Sequence, residues 1–246
     1  TTLPIEEVIA RGQTVARDGK ITVDCPHYDW PVDARQTEHM KPLTAKNFEI
    51  AAPEGANKVK AKVIGVVENQ APTEALPAEL PVVDGLVEGE GDTYQIALVE
   101  RHRATGQVTN GFVSGFGYQG KMAMASTVAH DSHHMIVVGT DRDMMAKAAN
   151  RLAEVGGGVT VWKDGRELAL IELPIAGLMS DSPAAEVAAK ADQMVQAMAE
   201  CGCTLNNAYM QHSLLALVVI PSLRISDLGL VDVDTFEITD LFEENA

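Results

Sequence analysis

The chain has little positive charge, few aromatic residues and few cysteines, and these shortages exclude several classes of protein. Its 246 residues include 19 lysines and arginines against 35 aspartates and glutamates, which gives a formal net charge of −16. Charge of that sign repels nucleic acid phosphates and anionic lipids at long range, so we expect neither nucleic acid nor a membrane as a partner. The three cysteines cannot all pair, which favours free thiols and a cytoplasmic protein.

Long apolar runs are also missing. No stretch approaches the roughly 18 consecutive apolar residues of a membrane span, and the opening TTLPIEEVIARG has neither the basic nor the apolar region of a signal peptide. What the chain does contain is 46% hydrophobic and 22% charged residues. That composition predicts a globular protein of one or two domains with a full core.

Hydrophobic patterning divides the chain into three parts. Residues 1–25 alternate apolar and polar residues up to and beyond an Asp18-Gly19 turn, a pattern typical of a two-stranded hairpin. Residues 26–58 contain several prolines and have neither a helical nor a strand period, which indicates a linker that wraps over a surface. Residues 59–246 contain strand-like and helical segments and predict an α+β domain.

This third part predicts a mixed β-sheet with two or three packed helices. VKAKVIGVV, YQIALVER and MAMASTVA are strand-like, and MIVVG is a continuous apolar run typical of a strand buried on both faces. One helix is predicted after Thr140 and Asp141 as cap candidates, ending at the glycines 156–158, and a second has a Ser/Asp cap, Pro183 in its first turn and Gly202 as its stop. The apolar stripes expected in the core are Met144, Ala148, Leu152 and Val155 of the first helix, and Val187, Ala191, Met194, Val195 and Met198 of the second.

A glycine-rich stretch, GFVSGFGYQGK at residues 111–121, contains G-x-G and a lysine. Its spacing is not that of a P-loop, and strand-like sequence follows it where a P-loop has a helix. The glycines are therefore predicted to turn the backbone or to allow close packing.

Three of the seven histidines lie within AHDSHH, residues 129–134. In an extended chain His130 and His134 share one face and His133 lies on the other, so more than two imidazoles converge only if the chain bends. Imidazoles beside a carboxylate are competent for metal ligation, for acid–base chemistry or for a solvated polar turn. The pattern alone leaves these alternatives open.

A second polar stretch, ERHR, closes the strand YQIALVER with Glu100, Arg101, His102 and Arg103. Its plainest interpretation is a solvated strand end. However, both polar stretches lie at strand ends of the same predicted sheet, where loops on a rigid scaffold often carry function. Both are therefore candidate functional sites.

Several of these segments together resemble a known family. GFGYQGKMAMASTVAHDSHHMIVVGTDRDMMAKAANRLAEVGGGVTV, VERHRATGQVTNGFV and LVDVDTFEITDLF are similar to the C-terminal domain of prokaryotic adenine deaminases, members of the amidohydrolase superfamily. The resemblance implies that the hairpin within residues 1–25 belongs to that superfamily's small β-sandwich, whose other strands this chain does not contain. The family usually has asparagine where this chain has His134, so a role of that amide does not carry over.

The resemblance implies hydrolysis of adenine to hypoxanthine and ammonia in purine salvage, with manganese or iron activating water in a (β/α)8 barrel. The superfamily's H-x-H metal motif is absent from this sequence, and too few helices are predicted for a barrel. We therefore expect a fragment or one subunit of a split enzyme, without a catalytic barrel, inactive alone and binding no metal alone. Its expected partners are an N-terminal amidohydrolase barrel, adenine and further copies of itself.

The same resemblance implies that the two polar stretches face the barrel mouth, where they close the site over adenine or position its ring nitrogens. The residues in question are His130, Asp131, Ser132, His133, Glu100, Arg101 and His102. One alternative is a structural or oligomerisation domain of the same enzyme. Another is an independent metal-dependent enzyme built on His130, Asp131, His133 and His134.

Overall fold

The computed structural model describes residues 5–243, which form two compact units, one up to Pro31 and one from Val32 onward. The first unit is an antiparallel sheet of three strands, β1 (Glu7–Ala10), β2 (Gln13–Arg17) and β3 (Lys20–Ile21). Positive φ angles at Asp18 and Gly19 confirm the predicted turn, but Arg11 and Gly12 form a second turn of the same kind. The prediction of two strands was therefore wrong by one, whereas membership of a β-sandwich stays a prediction.

The second unit combines four helices with twelve strands among the described residues. The helices are α1 (Val32–Arg35), α2 (Arg142–Val155), α3 (Ala184–Glu200) and α4 (Ala208–Leu214), and a 3₁₀ turn spans Ala45–Phe48. The strands are β4 (Lys58–Val66), β5 (Thr73–Val83), β6 (Leu86–Val87), β7 (Thr93–Val99), β8 (Val108–Ser114), β9 (Met122–Ser126), β10 (Met135–Gly139), β11 (Gly158–Lys163), β12 (Arg166–Glu172), β13 (Leu223–Ser226), β14 (Gly229–Asp232) and β15 (Glu237–Thr239).

Nine of these strands form one sheet in the order β12-β11-β9-β10-β7-β8-β4-β5-β6. Neighbouring strands are antiparallel except β4 and β8, which are parallel, so the sheet is mixed. Strands β13, β14 and β15 form a separate antiparallel meander. The predicted α+β fold with a mixed sheet is confirmed, and residues 5–243 contain no closed barrel. No helix among them is long and apolar enough to cross a membrane.

Strand β10 shows how the sheet is covered on both faces. Met135 and Val137 pack into the cluster that contains the buried face of α2, whereas Ile136 and Val138 pack into the cluster that contains α3 and α4. Side chains alternate between the two faces of a strand, so helices on both faces require an apolar residue at every position. The continuous apolar run MIVVG was correctly predicted to be a central buried strand.

Helix α2 follows its sequence signals closely. The Asp141 carboxylate accepts a hydrogen bond from the Met144 amide at 3.1 Å, and Gly156 ends the helix in the left-handed conformation. Met144, Ala148 and Leu152 of the predicted stripe are buried. Capping and the apolar period therefore suffice to define this helix.

Helix α3 departs from its prediction at both its start and its stripe. Pro183 occupies the cap position and has no side-chain acceptor, so no side chain caps the helix, and the Asp181 carboxylate pairs with Arg35 at 2.7 Å. Met194 and Met198 are buried, but Val195 is 61% exposed. The helix packs on β12, an outermost strand of the large sheet, and on its neighbour β11. Only a narrow part of its apolar stripe therefore reaches the core.

The segment predicted to be a linker has structure of its own after Val32. It contains α1 and the 3₁₀ turn, and it buries Leu43 and Phe48 in the cluster around α2. This segment shows no helical or strand period because its elements are short and are held by tertiary contacts. The predicted domain boundaries themselves stay predictions.

We expect the protein to lose stability in mild acid through His212. This imidazole is fully buried on α4, and burial lowers its pKa to about 3. In the unfolded chain this histidine binds a proton near pH 6.5, but in the folded protein it stays neutral. The free energy of unfolding is therefore unaffected by His212 above pH 6.5 and decreases as the pH falls toward 3. Between pH 7 and pH 5 this loss is about 2 kcal/mol.

Denaturant unfolding at pH 7 and pH 5 measures the effect. His212→Leu should show a difference in unfolding free energy between the two pH values that is smaller than in the wild type by about 2 kcal/mol. His27→Leu, at an exposed position, is the control and should behave as the wild type does. An unchanged pH dependence in His212→Leu would show that His212 does not cause the loss of stability in mild acid.

Candidate functional site

The two polar stretches meet at one edge of the large sheet, the edge that is formed by the ends of its strands and not by an outermost strand. Strands β7 and β10 are antiparallel neighbours, and Val99 at the end of β7 pairs with Met135 at the start of β10. The loop after β7, residues 100–107, therefore lies beside the loop before β10, residues 127–134. We call these the 100–107 loop and the histidine loop.

Direct contacts join the two loops. The Arg101 Nε donates to the carbonyl oxygen of His133 at 2.6 Å, and the His102 Nε2 lies 2.9 Å from the carbonyl oxygen of Ser132. The rings of His102 and His134 are 4.7 Å apart between centroids. All seven predicted site residues thus lie within the two loops that the fold brings together.

The histidine loop contains the bend that convergence of its imidazoles requires. The His133 amide donates to the carbonyl oxygen of Ala129 at 2.7 Å, which closes a turn over residues 130–132. This turn brings the rings of His130 and His133 to 5.9 Å between centroids, while His134 points to His102 instead. The histidines therefore form two pairs rather than one cluster of three.

Exposure separates the predicted residues into two groups. Asp131, Ser132 and His102 are exposed, and His130 and His133 are partly buried. Glu100 and Arg101 are buried, with 5% and 1% of their surfaces exposed. The first group can contact a substrate or a partner, whereas the second group can act only through the loops that it supports.

Glu100 anchors the 100–107 loop. One carboxylate oxygen accepts from the amides of His102 and Arg103, and the other accepts from the amide and hydroxyl of Thr105. Burial by itself would raise the pKa of this carboxyl, but the four hydrogen bonds outweigh it and lower the pKa to about 2. Glu100 is therefore an ionised anchor at neutral pH and not a proton donor.

Two imidazoles of the histidine loop are favoured in their neutral form. Burial, with the neighbouring His130 and Arg101, lowers the pKa of His133. Burial and the nearby His102 lower the pKa of His134, although Asp227 opposes the shift from 3.6 Å. A neutral imidazole has one N–H donor and one acceptor nitrogen, so it can bind polar groups of either kind.

Sequence reasoning missed two residues of this site, Glu38 and Asp227. Glu38 forms an ion pair with Arg101 at 2.5 Å, and Asp227, in the turn between β13 and β14, lies beside His134. Each is more than sixty positions from its partner in the chain, and neither stands in a motif. Local pattern contains no signal that would have found them.

The residues present do not fit a metal site. Among residues 5–243, no group of three or more histidine, cysteine, aspartate or glutamate side chains is arranged to hold a metal ion. The Nε2 atom of His102, which could otherwise serve as a ligand, contacts a backbone carbonyl. No chemical step at this edge is therefore assigned to a metal held by this chain.

The glycine-rich stretch turns the backbone, as its spacing predicted. Gly115, Gly117 and Gly120 have positive φ angles, and the Asp92 carboxylate accepts from the amides of Gly115 and Gly117 at 2.8 and 2.9 Å. A phosphate would need those same amide donors. The stretch lies away from the histidine loop, at the opposite ends of the strands.

Comparison with known proteins identifies relatives of known name. A model of the adenine deaminase C-terminal domain family matches residues 70–237, which include both loops. The adenine deaminase of Ruegeria pomeroyi is 78% identical over 245 residues, which are 98% of this chain and 41% of that protein. The adenine deaminase of Roseobacter denitrificans is 76% identical over 243 residues, 98% of this chain and 40% of its own. That of Moorella thermoacetica is 44% identical over 240 residues, 96% and 40% respectively.

The fold and the site define a mixed α+β domain that presents two converging polar loops at one sheet edge and has no barrel within residues 5–243. The chain belongs to the adenine deaminase C-terminal domain family and corresponds to the C-terminal part of these relatives. It spans about 40% of the length of the curated relatives that it matches.

Removal of the Glu100 charge should destabilise the protein. Glu100→Gln loses the acceptor strength of a carboxylate that receives four hydrogen bonds, and we expect a loss of about 1–3 kcal/mol in unfolding free energy at pH 7. The pKa is lowered in the folded state, so the wild-type advantage is present above about pH 4.5 and is lost as the pH falls toward 2. Denaturant unfolding tests this, with Glu54→Gln at an exposed position as the control. Equal stability of Glu100→Gln and wild type would show that Glu100 is no anchor.

Proposed function

We propose that this chain is the C-terminal part of an adenine deaminase, a hydrolase of purine salvage that converts adenine and water into hypoxanthine and ammonia. One observation carries the proposal: the two polar loops converge at one edge of the sheet. Their exposed polar groups lie above the buried ion pair of Arg101 and Glu38. The names of the relatives support the substrate. The manganese or iron belongs, in this proposal, to an amidohydrolase barrel in the rest of the polypeptide.

The groups on this edge suit a purine. Ring nitrogens of adenine accept hydrogen bonds, and its amino group and ring N–H donate them. A neutral His133, which is partly exposed, can do either. Asp131 supplies an exposed acceptor and Ser132 an exposed hydroxyl. In this proposal the edge closes the barrel mouth, positions the ring and excludes bulk water from it.

A structural role is the second candidate. Its supporting observation is that Glu100, Arg101 and the backbone of the histidine loop are occupied by hydrogen bonds within the chain. An oligomer of this chain in the cytoplasm is compatible with either function and is proposed with the first.

Variants of the histidine loop separate these two functions. In the full-length protein, His130→Ala or His133→Ala should lower kcat/KM for adenine by about tenfold to a hundredfold because the ring is no longer positioned. The melting temperature should not fall with it. The measurement pairs hypoxanthine formation with thermal unfolding, and His27→Ala at an exposed position is the control. Wild-type activity at wild-type stability would favour the structural role.

The chain alone should not deaminate adenine. Incubation of residues 1–246 with adenine and added manganese or iron is expected to give no hypoxanthine. The reason is that no three potential ligand side chains within residues 5–243 are arranged to hold a metal ion. Turnover that His133→Ala abolishes would instead support an independent metal-dependent enzyme, and it would overturn the proposal of an accessory domain.

A further inference from the structure

Arg101 lies beneath the histidine loop and away from water. It is 1% exposed, and its Nη1 atom is 2.5 Å from Oε1 of Glu38, whose side chain is 4% exposed. Glu38 belongs to the segment between α1 and the 3₁₀ turn, which contains no other predicted site residue. The segment also bonds to the backbone here, since the His39 amide donates to the carbonyl oxygen of Arg101 at 2.8 Å.

The guanidinium uses its three nitrogens on three different segments. Besides the Glu38 contact, Nε donates to the His133 carbonyl at 2.6 Å and Nη2 donates to the Ala176 carbonyl at 3.1 Å. These nitrogens lie in one rigid plane, so the three acceptors are fixed relative to each other. The orientation of the guanidinium therefore determines where the His133 carbonyl lies.

Glu38 in turn determines that orientation. Among the described residues it is the one acidic side chain within ion-pair distance of Arg101. Its second oxygen, Oε2, is buried without a hydrogen-bond partner, so Arg101 is also its main support. Apolar residues of similar volume are often as stabilising as a buried ion pair, so a pair such as this contributes chiefly to orientation.

The histidine loop is pinned on both sides of its exposed residues. The His133 amide closes the turn onto Ala129, and the His133 carbonyl is held by Arg101. The hydrogen bond from Arg101 goes to the backbone of His133. A shift of the guanidinium would therefore move the turn as a whole, including Asp131 and Ser132.

We propose that Glu38 is a positioning residue, which acts through Arg101 to fix the histidine loop at the edge of the sheet. Its link to catalysis rests on the proposed function, whereas its hold on the loop does not. Without the Glu38 charge, the Arg101 guanidinium loses the acceptor that fixes the orientation of its plane, and its hold on the His133 carbonyl loosens.

Hydrogen exchange in the full-length protein tests the hold on the loop. Glu38→Gln should raise the exchange rate of the His133 amide at least tenfold and leave the amides of β10 unchanged. The matched control, Glu79→Gln, removes an exposed ion pair with Lys58 and should change neither. An unchanged His133 amide, or an equal increase throughout β10, overturns the proposal. If Glu38→Gln does not fold, Glu38→Asp withdraws the carboxylate from Arg101 by one methylene and should raise the exchange rate of the His133 amide by a smaller factor; an unchanged rate in that variant also overturns the proposal.

A double-mutant cycle tests the link to catalysis. Glu38→Gln alone should lower kcat/KM for adenine about tenfold, but in a His133→Ala background it should lower it by a smaller factor, because only the contacts of Asp131 and Ser132 remain to be lost. The two effects on melting temperature should instead add. Full additivity in kcat/KM overturns the positioning role. Should the wild-type protein fail to deaminate adenine, the proposed function is lost, and the exchange experiment still decides whether Glu38 holds the loop.

Discussion

The candidate edge depends on the burial of one positive charge. Removing the Arg101 guanidinium from water costs several kcal/mol, which well-aimed hydrogen-bond acceptors have to offset. Space around the ion pair is the second requirement. A Cβ atom at Gly177 would lie 2.8 Å from the Nη1 of Arg101, and one at Gly157 would lie 2.5 Å from the Cα of Gly177. Gly157, which follows the C-cap of helix α2, and Gly177, in the loop after β12, thus make room for this charge.

A second buried arginine shows that the anion is not needed for burial as such. Arg224, on β13, is fully buried and donates only to carbonyl oxygens, those of Ile220, Leu214, Ala71 and Pro221. Burial lowers its pKa to about 10, so it remains charged at neutral pH. Arg224 joins the end of α4 to the loop between β4 and β5, and none of its partners within residues 5–243 is a carboxylate. Burial of Arg101 therefore does not by itself require Glu38, and the Glu38 carboxylate serves to orient the Arg101 guanidinium.

The sequence predicts those features that local pattern determines. Strand β10, helix α2 and the Asp18-Gly19 turn follow from a continuous apolar run, from capping and from an Asp-Gly pair. Helix α3 was less predictable, because its apolar period does not reveal that it packs near one end of the sheet and leaves Val195 exposed. The pairing of Arg101 with Glu38 was not predictable, since it joins segments that only the tertiary fold brings together. The sequence predicted that both polar stretches lie at strand ends of one sheet, but it did not predict their contacts with each other.

The polar edge has a fixed shape before anything binds to it. The 100–107 loop is held by Glu100, the histidine loop is held by Arg101, and the meander joins them where Asp227 approaches His134. Gln107 and Thr109 bond to the Asp227 carbonyl, which ties the same turn to the 100–107 loop and to β8. A surface that is already ordered loses little conformational entropy when it meets a partner. It therefore suits a wall that closes a site by its shape better than a flap that must fold over a substrate.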